Sequence, residues 1–105
     1  MEYKTFDNLV FKADDVIEGR RHAVLWLSNN YGISVIVGHG AYGCSDAPYE
    51  CAAICRTSKR ARHFDLADIF PEWGDSVKGW CTEIDVTNIM KQIQDYDKDI
   101  RTTAL

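Results

Sequence analysis

Four cysteines and three histidines are the residues of this chain best suited to chemistry, and most of them cluster in one stretch. VGHGAYGCSDAPYECAAIC holds His39, Cys44, Cys51 and Cys55, with His63 and Cys81 further on. Thiolates and imidazoles are zinc ligands, and structural zinc sites bring them in close pairs such as C-x2-C. The spacings here are C-x6-C and C-x3-C. If residues 49–55 form a strand, Cys51 and Cys55 share a face but lie about 13 Å apart, too far to share one ion. On a helix they would be separated by about 6 Å of rise and could share it. The expected strand therefore makes Cys51 and Cys55 small buried apolar residues, and no metal site is expected. Cys44 is the best nucleophile, since it lies in an expected loop with His39 and Asp46 nearby in sequence. A thiol–imidazole pair is a matter of geometry, which spacing does not supply. No paired carboxylates, P-loop or G-x-S-x-G motif is present, so no catalytic residue and no cofactor is assigned.

The same stretch spells G-x-G-x-x-G at Gly38, Gly40 and Gly43. A dinucleotide cradle needs the last glycine to open a helix, whose amides hold the pyrophosphate. Gly43 runs instead into Cys-Ser-Asp-Ala-Pro, a loop sequence. Where a ribose-binding acid would fall, the chain reads Lys-Arg-Ala-Arg. The glycines are thus expected to turn the chain from one strand into the next, with Tyr42 packing over the corner.

The elements that position these residues follow from periodicity. Residues 9–12, LVFK, read as a short strand, followed by a turn at Asp14, Asp15 and Gly19. HAVLWLS and YGISVIVG flank Asn29-Asn30 and predict a β-hairpin with a two-residue loop. That register sets Trp26 opposite Ile33, Val24 opposite Val35 and His22 opposite Val37, and this heavier side should meet the core. Residues 49–55 follow as a further strand. From Thr82 the period changes: Val86, Ile89, Met90 and Ile93 form the apolar stripe of a helix capped by Thr82 and ending near Asp97. Residues 64–81 read as irregular with short helical pieces, FDLADIF making one or two helical turns before Pro71. The expectation is an α+β fold: a small antiparallel sheet of three to four strands packed against a C-terminal α-helix, in a single domain of residues 1–105.

With 105 residues and 46% apolar content, the chain can build one modest core. There is no apolar run long enough to span a membrane and no basic-then-apolar N-terminal leader, which implies a cytoplasmic protein with reduced thiols. Net charge is −4, unevenly spread. RTSKRARH carries Arg56, Lys59, Arg60 and Arg62 beside His63 with no acid, within an otherwise acidic body. Such a loop clamps a phosphate backbone, docks on an acidic protein surface, or is simply solvated and offsets the body's charge. No aromatic residue interleaves it. Trp73 and Trp80 are either interface anchors or part of the core and its rim. Partner-binding candidates are therefore Arg56, Lys59, Arg60, Arg62 and Trp73.

Taken in order, YKTFDNLVFK, AVLWLSNNYGISVIVG, YECAAI and GWCTEIDVTNIMKQIQ resemble a group of small uncharacterised proteins of tailed bacteriophages. That group's pattern is KTFxDLVF, NGYGVSVV, YELAVL and GYLTxEDVTxIMxxIQ, and the similarity covers Tyr3 to Gln94. Asn30 stands where the group has a turn glycine. RTSKRARH and FDLADIFPEWGDS exceed the short connection usual there. The resemblance implies a strand at residues 49–55 and a phage-encoded protein; the lack of a catalytic constellation and the charged, Trp-bearing insertion on a small scaffold make a non-enzymatic binding protein the expected function. Its partner would be a host protein or a defence complex in the host bacterial cytoplasm, and it would need no cofactor. Nucleic-acid binding through residues 56–63 and a small Cys- or metal-dependent enzyme are the alternatives.

Overall fold

The computed structural model describes residues 2–56 and 64–103. Among the described residues six strands are formed: β1 (Lys12–Ala13), β2 (Arg20–Trp26), β3 (Tyr31–Gly38), β4 (Tyr49–Arg56), β5 (Phe64–Leu66) and β6 (Lys78–Cys81). One helix follows, α1 (Glu83–Thr103), and single 3-10 turns occur at Phe6–Asn8 and Pro71–Trp73. All strand pairs are antiparallel, in the order β1-β2-β3-β4. The outer edge of β4 is shared: β5 pairs with Ile54, Cys55 and Arg56, and β6 with Tyr49 and Cys51. With α1 on one face, this is the expected α+β architecture built on a larger sheet.

The extra strands come from residues 64–81. Phe64–Leu66 forms β5 rather than a helical turn, because the free edge of β4 supplies backbone partners that outweigh weak local preference. The only helical piece among the described residues of this region is the 3-10 turn opened by Pro71, whose missing N–H costs nothing there. At the other end of the chain, β1 begins three residues later than the sequence implies. Phe6, Leu9 and Phe11 pack against the core instead of pairing along an edge.

The hairpin of β2 and β3 corrects the expected register. Trp26 lies opposite Gly32, Leu25 opposite Ile33 and Val24 opposite Ser34. The loop has three residues, Ser28, Asn29 and Asn30, closed by the Leu27 N–H donating to the Tyr31 carbonyl at 2.9 Å. Ser28 Oγ accepts from the N–H groups of Asn30 (3.3 Å) and Tyr31 (3.1 Å), which satisfies a turn that two asparagines alone would leave open. Because side chains alternate with period two, the one-residue change turns β2 over. Ala23, Leu25 and Leu27 meet the core, and His22, Val24 and Trp26 take the opposite face. The inward side of β3 is as expected, with Ile33 and Val35 fully buried.

Helix α1 starts where Thr82 caps it. The Asp85 N–H donates to Thr82 Oγ1 (3.1 Å) and the Thr82 N–H to Asp85 Oδ2 (2.9 Å), a reciprocal capping box. Val86, Ile89, Met90 and Ile93 form the buried stripe, packed with Ile33, Val35, Cys51 and Ala53 of the sheet. Each such side chain contributes about 1.5–3 kcal/mol by leaving water. The helix continues past Asp97 to Thr103. The N-terminal segment is tied to it: Phe6 N–H donates to Thr87 Oγ1, and Gln94 both accepts from the Lys4 N–H and donates to the Lys4 carbonyl.

Candidate functional site: the open face of the sheet

Alternation along the strands gives the sheet two faces, and α1 covers one. On the other, register aligns Trp26, Gly32, Ile54 and Leu66 in one row and Val24, Ser34 and Ala52 in the next. Arg56 and Phe64 form the row beyond, at the end of β4 and the start of β5. Gly32 is essential to this surface. A Cβ there would lie 2.9 Å from Trp26 Cε3 and 2.7 Å from the Leu25 carbonyl oxygen, so only glycine lets the indole lie down across β3. The Arg56 guanidinium carbon sits 3.9 Å from the Trp26 ring centroid, and Phe64 meets the same indole edge-on at 6.1 Å. Arg56 is held in place by its Nε donating to the Asn29 carbonyl (3.1 Å) and its N–H to that of Asn30 (3.0 Å). The hairpin loop thus fixes the cation that covers the tryptophan.

Around this cluster the face is apolar and accessible. Val24, Phe64 and Leu66 are 40%, 39% and 53% exposed, while Ile54 and Ala52 between them are buried. The face mixes a rigid aromatic anchor, aliphatic surroundings and a positive charge. That mixture is enriched at protein–protein interface centres.

The residues singled out from sequence divide. Arg56 belongs to this face. Lys59, Arg60, Arg62 and His63 lie outside the described residues; in the chain they connect Arg56 to Phe64, the row that closes the aromatic cluster. Trp73 is not part of it: the ring stacks on Phe70 at 4.4 Å and packs against the helix-side core. Trp80 is 60% exposed and stacks on Tyr42. Tyr42, itself mostly exposed, therefore does not pack over the strand corner as expected. The glycine stretch does make that corner. Gly38 ends β3 at φ 101°, and a Cβ there would strike the Gly19 carbonyl oxygen. No helix follows Gly43, so the amide cradle of a nucleotide site is not formed.

Cys51 and Cys55 lie on strand β4, and no group of three His, Cys, Asp or Glu side chains among the described residues converges as metal ligands would. Cys44 is exposed in the loop before β4. Among the described residues, no helix is long and apolar enough to cross a membrane.

Trp26, Val24, Phe64 and Leu66 are the surface residues that sequence reasoning missed. The signal for two of them was Ser28: counted into the hairpin loop, it turns Val24 and Trp26 outward. No family model, no curated protein and no solved structure matches the chain.

Proposed function

We propose that this chain is a non-enzymatic binding protein that docks on an acidic surface of another protein through the open sheet face. The observation that carries the reading is the accessible surface of Val24, Phe64 and Leu66 around the half-buried Trp26, with the Arg56 guanidinium locked onto the indole. Burying such a surface supplies the binding energy. The four cations in residues 56–63, a stretch that in the chain joins Arg56 to Phe64, supply complementarity to acidic groups and faster encounter. The resemblance to small tailed-phage proteins supports a setting for this activity: the cytoplasm of an infected bacterium, with a host protein or defence complex as the partner. Protein is favoured over nucleic acid because the Trp26 ring already carries Arg56 over one face, so that face is not a free stacking platform for a base.

The test is affinity capture from infected cells, followed by titration of the captured protein against purified wild type, Trp26→Ala and Leu66→Asp. Each variant should weaken binding about 30-fold or more, as interface anchors do. Unchanged affinity in both folded variants would sink the proposal. Binding to single-stranded nucleic acid instead, with a steep loss in salt, would move the function to the nucleic-acid reading.

A further inference from the structure

We propose that Cys51 and Cys81 form a dithiol modification site, which a hydroperoxide converts to an intrachain disulfide tying β6 to β4. The two residues are thirty positions apart in sequence, and only the antiparallel pairing of β6 with β4 brings them together. Tyr49 lies opposite Cys81 and Cys51 opposite Lys78, with an irregularity between these pairs. Both side chains enter the same core cluster beneath α1, at 0% and 1% exposure. The Cys81 thiol is also directed at the carbonyl oxygens of Lys78 and Gly79, at 3.6 Å each. The other cysteines are placed differently: Cys44 is exposed in a loop, and Cys55 is two strand repeats from Cys51, opposite Tyr31.

The pair is chemically unequal. The neighbouring Cys51 thiol lowers the Cys81 pKa, while Cys81 and burial push the Cys51 thiol up. Cys81, on the short edge strand, is the sulfur an oxidant reaches first and is the attacking one; Cys51, on β4 inside the sheet, is the resolving one. Access comes through β6, a four-residue edge strand flanked by the exposed side chains of Lys78 and Trp80. Trp80 adopts φ 51°, a left-handed conformation unfavourable for a bulky side chain, and its N–H donates outside the β4 ladder, to the Tyr42 carbonyl at 2.8 Å. Local opening of such an edge exposes Cys81 to a small oxidant without global unfolding.

The reaction balances in two steps. The Cys81 thiolate attacks a peroxide oxygen; the O–O bond breaks, the alkoxide takes a proton and leaves as the alcohol, and Cys81 becomes a sulfenic acid. The Cys51 sulfur then attacks Cys81, the S–S bond forms, and the sulfenic hydroxyl departs with the Cys51 proton as water. The peroxide is reduced by two electrons and the two thiols are oxidised by two.

The experiment uses the full chain carrying Cys44→Ser, reduced and then treated with hydrogen peroxide under native conditions. The intact mass should fall by two hydrogens, and peptide mapping without reductant should join the Cys51 and Cys81 peptides. The thermal midpoint should rise on oxidation and return with dithiothreitol. Adding Cys55→Ala should leave the linkage intact, and Cys81→Ala should abolish it. Since the mapping uses both native cysteines of the pair, its result does not depend on whether the Cys81 variant folds. A linkage through Cys55, addition of oxygen to Cys81 without a disulfide, or an unchanged mass at a peroxide dose that oxidises Cys44 in the wild type would each overturn the proposal.

Discussion

One sheet presents two faces of similar composition that have different fates. Toward α1, Ile33, Val35, Cys51 and Ala53 are sealed beneath Val86, Ile89, Met90 and Ile93. On the opposite side, Ile54 and Ala52 are buried, yet Val24, Phe64 and Leu66 remain accessible around the Trp26 indole. The helix-side aromatics are also used differently. Phe6, Phe11 and Tyr49 form a cluster with centroids 5.0–5.8 Å apart that closes the end of the core. Trp26 instead stacks with a cation at the surface. Apolar content alone therefore does not say what a face is for. A face covered by its own helix is structural, whereas an exposed apolar patch beside a cation is the feature on which the proposed docking rests.

The largest test of this contrast is a pair of truncations. Ile93→Ala, on the sealed side, should cost about 2–5 kcal/mol in urea unfolding. Leu66→Ala, on the open side, should stay within about 1 kcal/mol, because much of its surface is already wet. Equal losses would mean that the two faces do the same work. Next in size is Ser28→Ala, which removes the acceptor for two loop N–H groups and should cost about 1 kcal/mol. It should also loosen the register that places Trp26 outward, seen as faster amide exchange in β2 and β3 than in α1.

The smallest effect is electrostatic, at the β1–β2 turn beside His22 of the open face. The Asp14 carboxylate accepts from the Ile17 and Val16 N–H groups, which hold its pKa below the usual value of 3.8, with Arg20 and His22 adding to the same direction. A depressed folded pKa means that its stabilisation is complete above the unfolded value and is lost as pH falls through the folded one. Asp14→Asn should therefore lower stability near neutrality by a pH-independent amount and flatten the acid limb of the profile below about pH 4. An unchanged acid limb would remove Asp14 as a contributor.

Much of the helix side was legible because its signals are local. Thr82 and Asp85 announce the cap, and the 3.6-residue spacing of Val86, Ile89, Met90 and Ile93 announces the buried stripe. Residues 49–55 read as a strand and are one. The open face was not legible for a specific reason. Its membership depends on whether Ser28 joins the hairpin loop, and one residue of register moves every β2 side chain across the sheet. Arg56 was visible as a charge, but its seat on Trp26 was not, since the two are thirty residues apart and meet through β3.

From the chain alone came the α+β class, the position and inward stripe of α1, the inward side of β3 and the corner at Gly38. Each rests on interactions between near neighbours: a cap, a period, a backbone torsion. Tertiary structure decided which way β2 faces, that residues 64–66 and 78–81 become strands, and that Cys51 meets Cys81. The first depends on how β3 takes up the Ser28-containing loop; the other two depend on hydrogen bonds offered by β4, a partner distant in sequence, and such pairing overrides the weak local preferences of short segments.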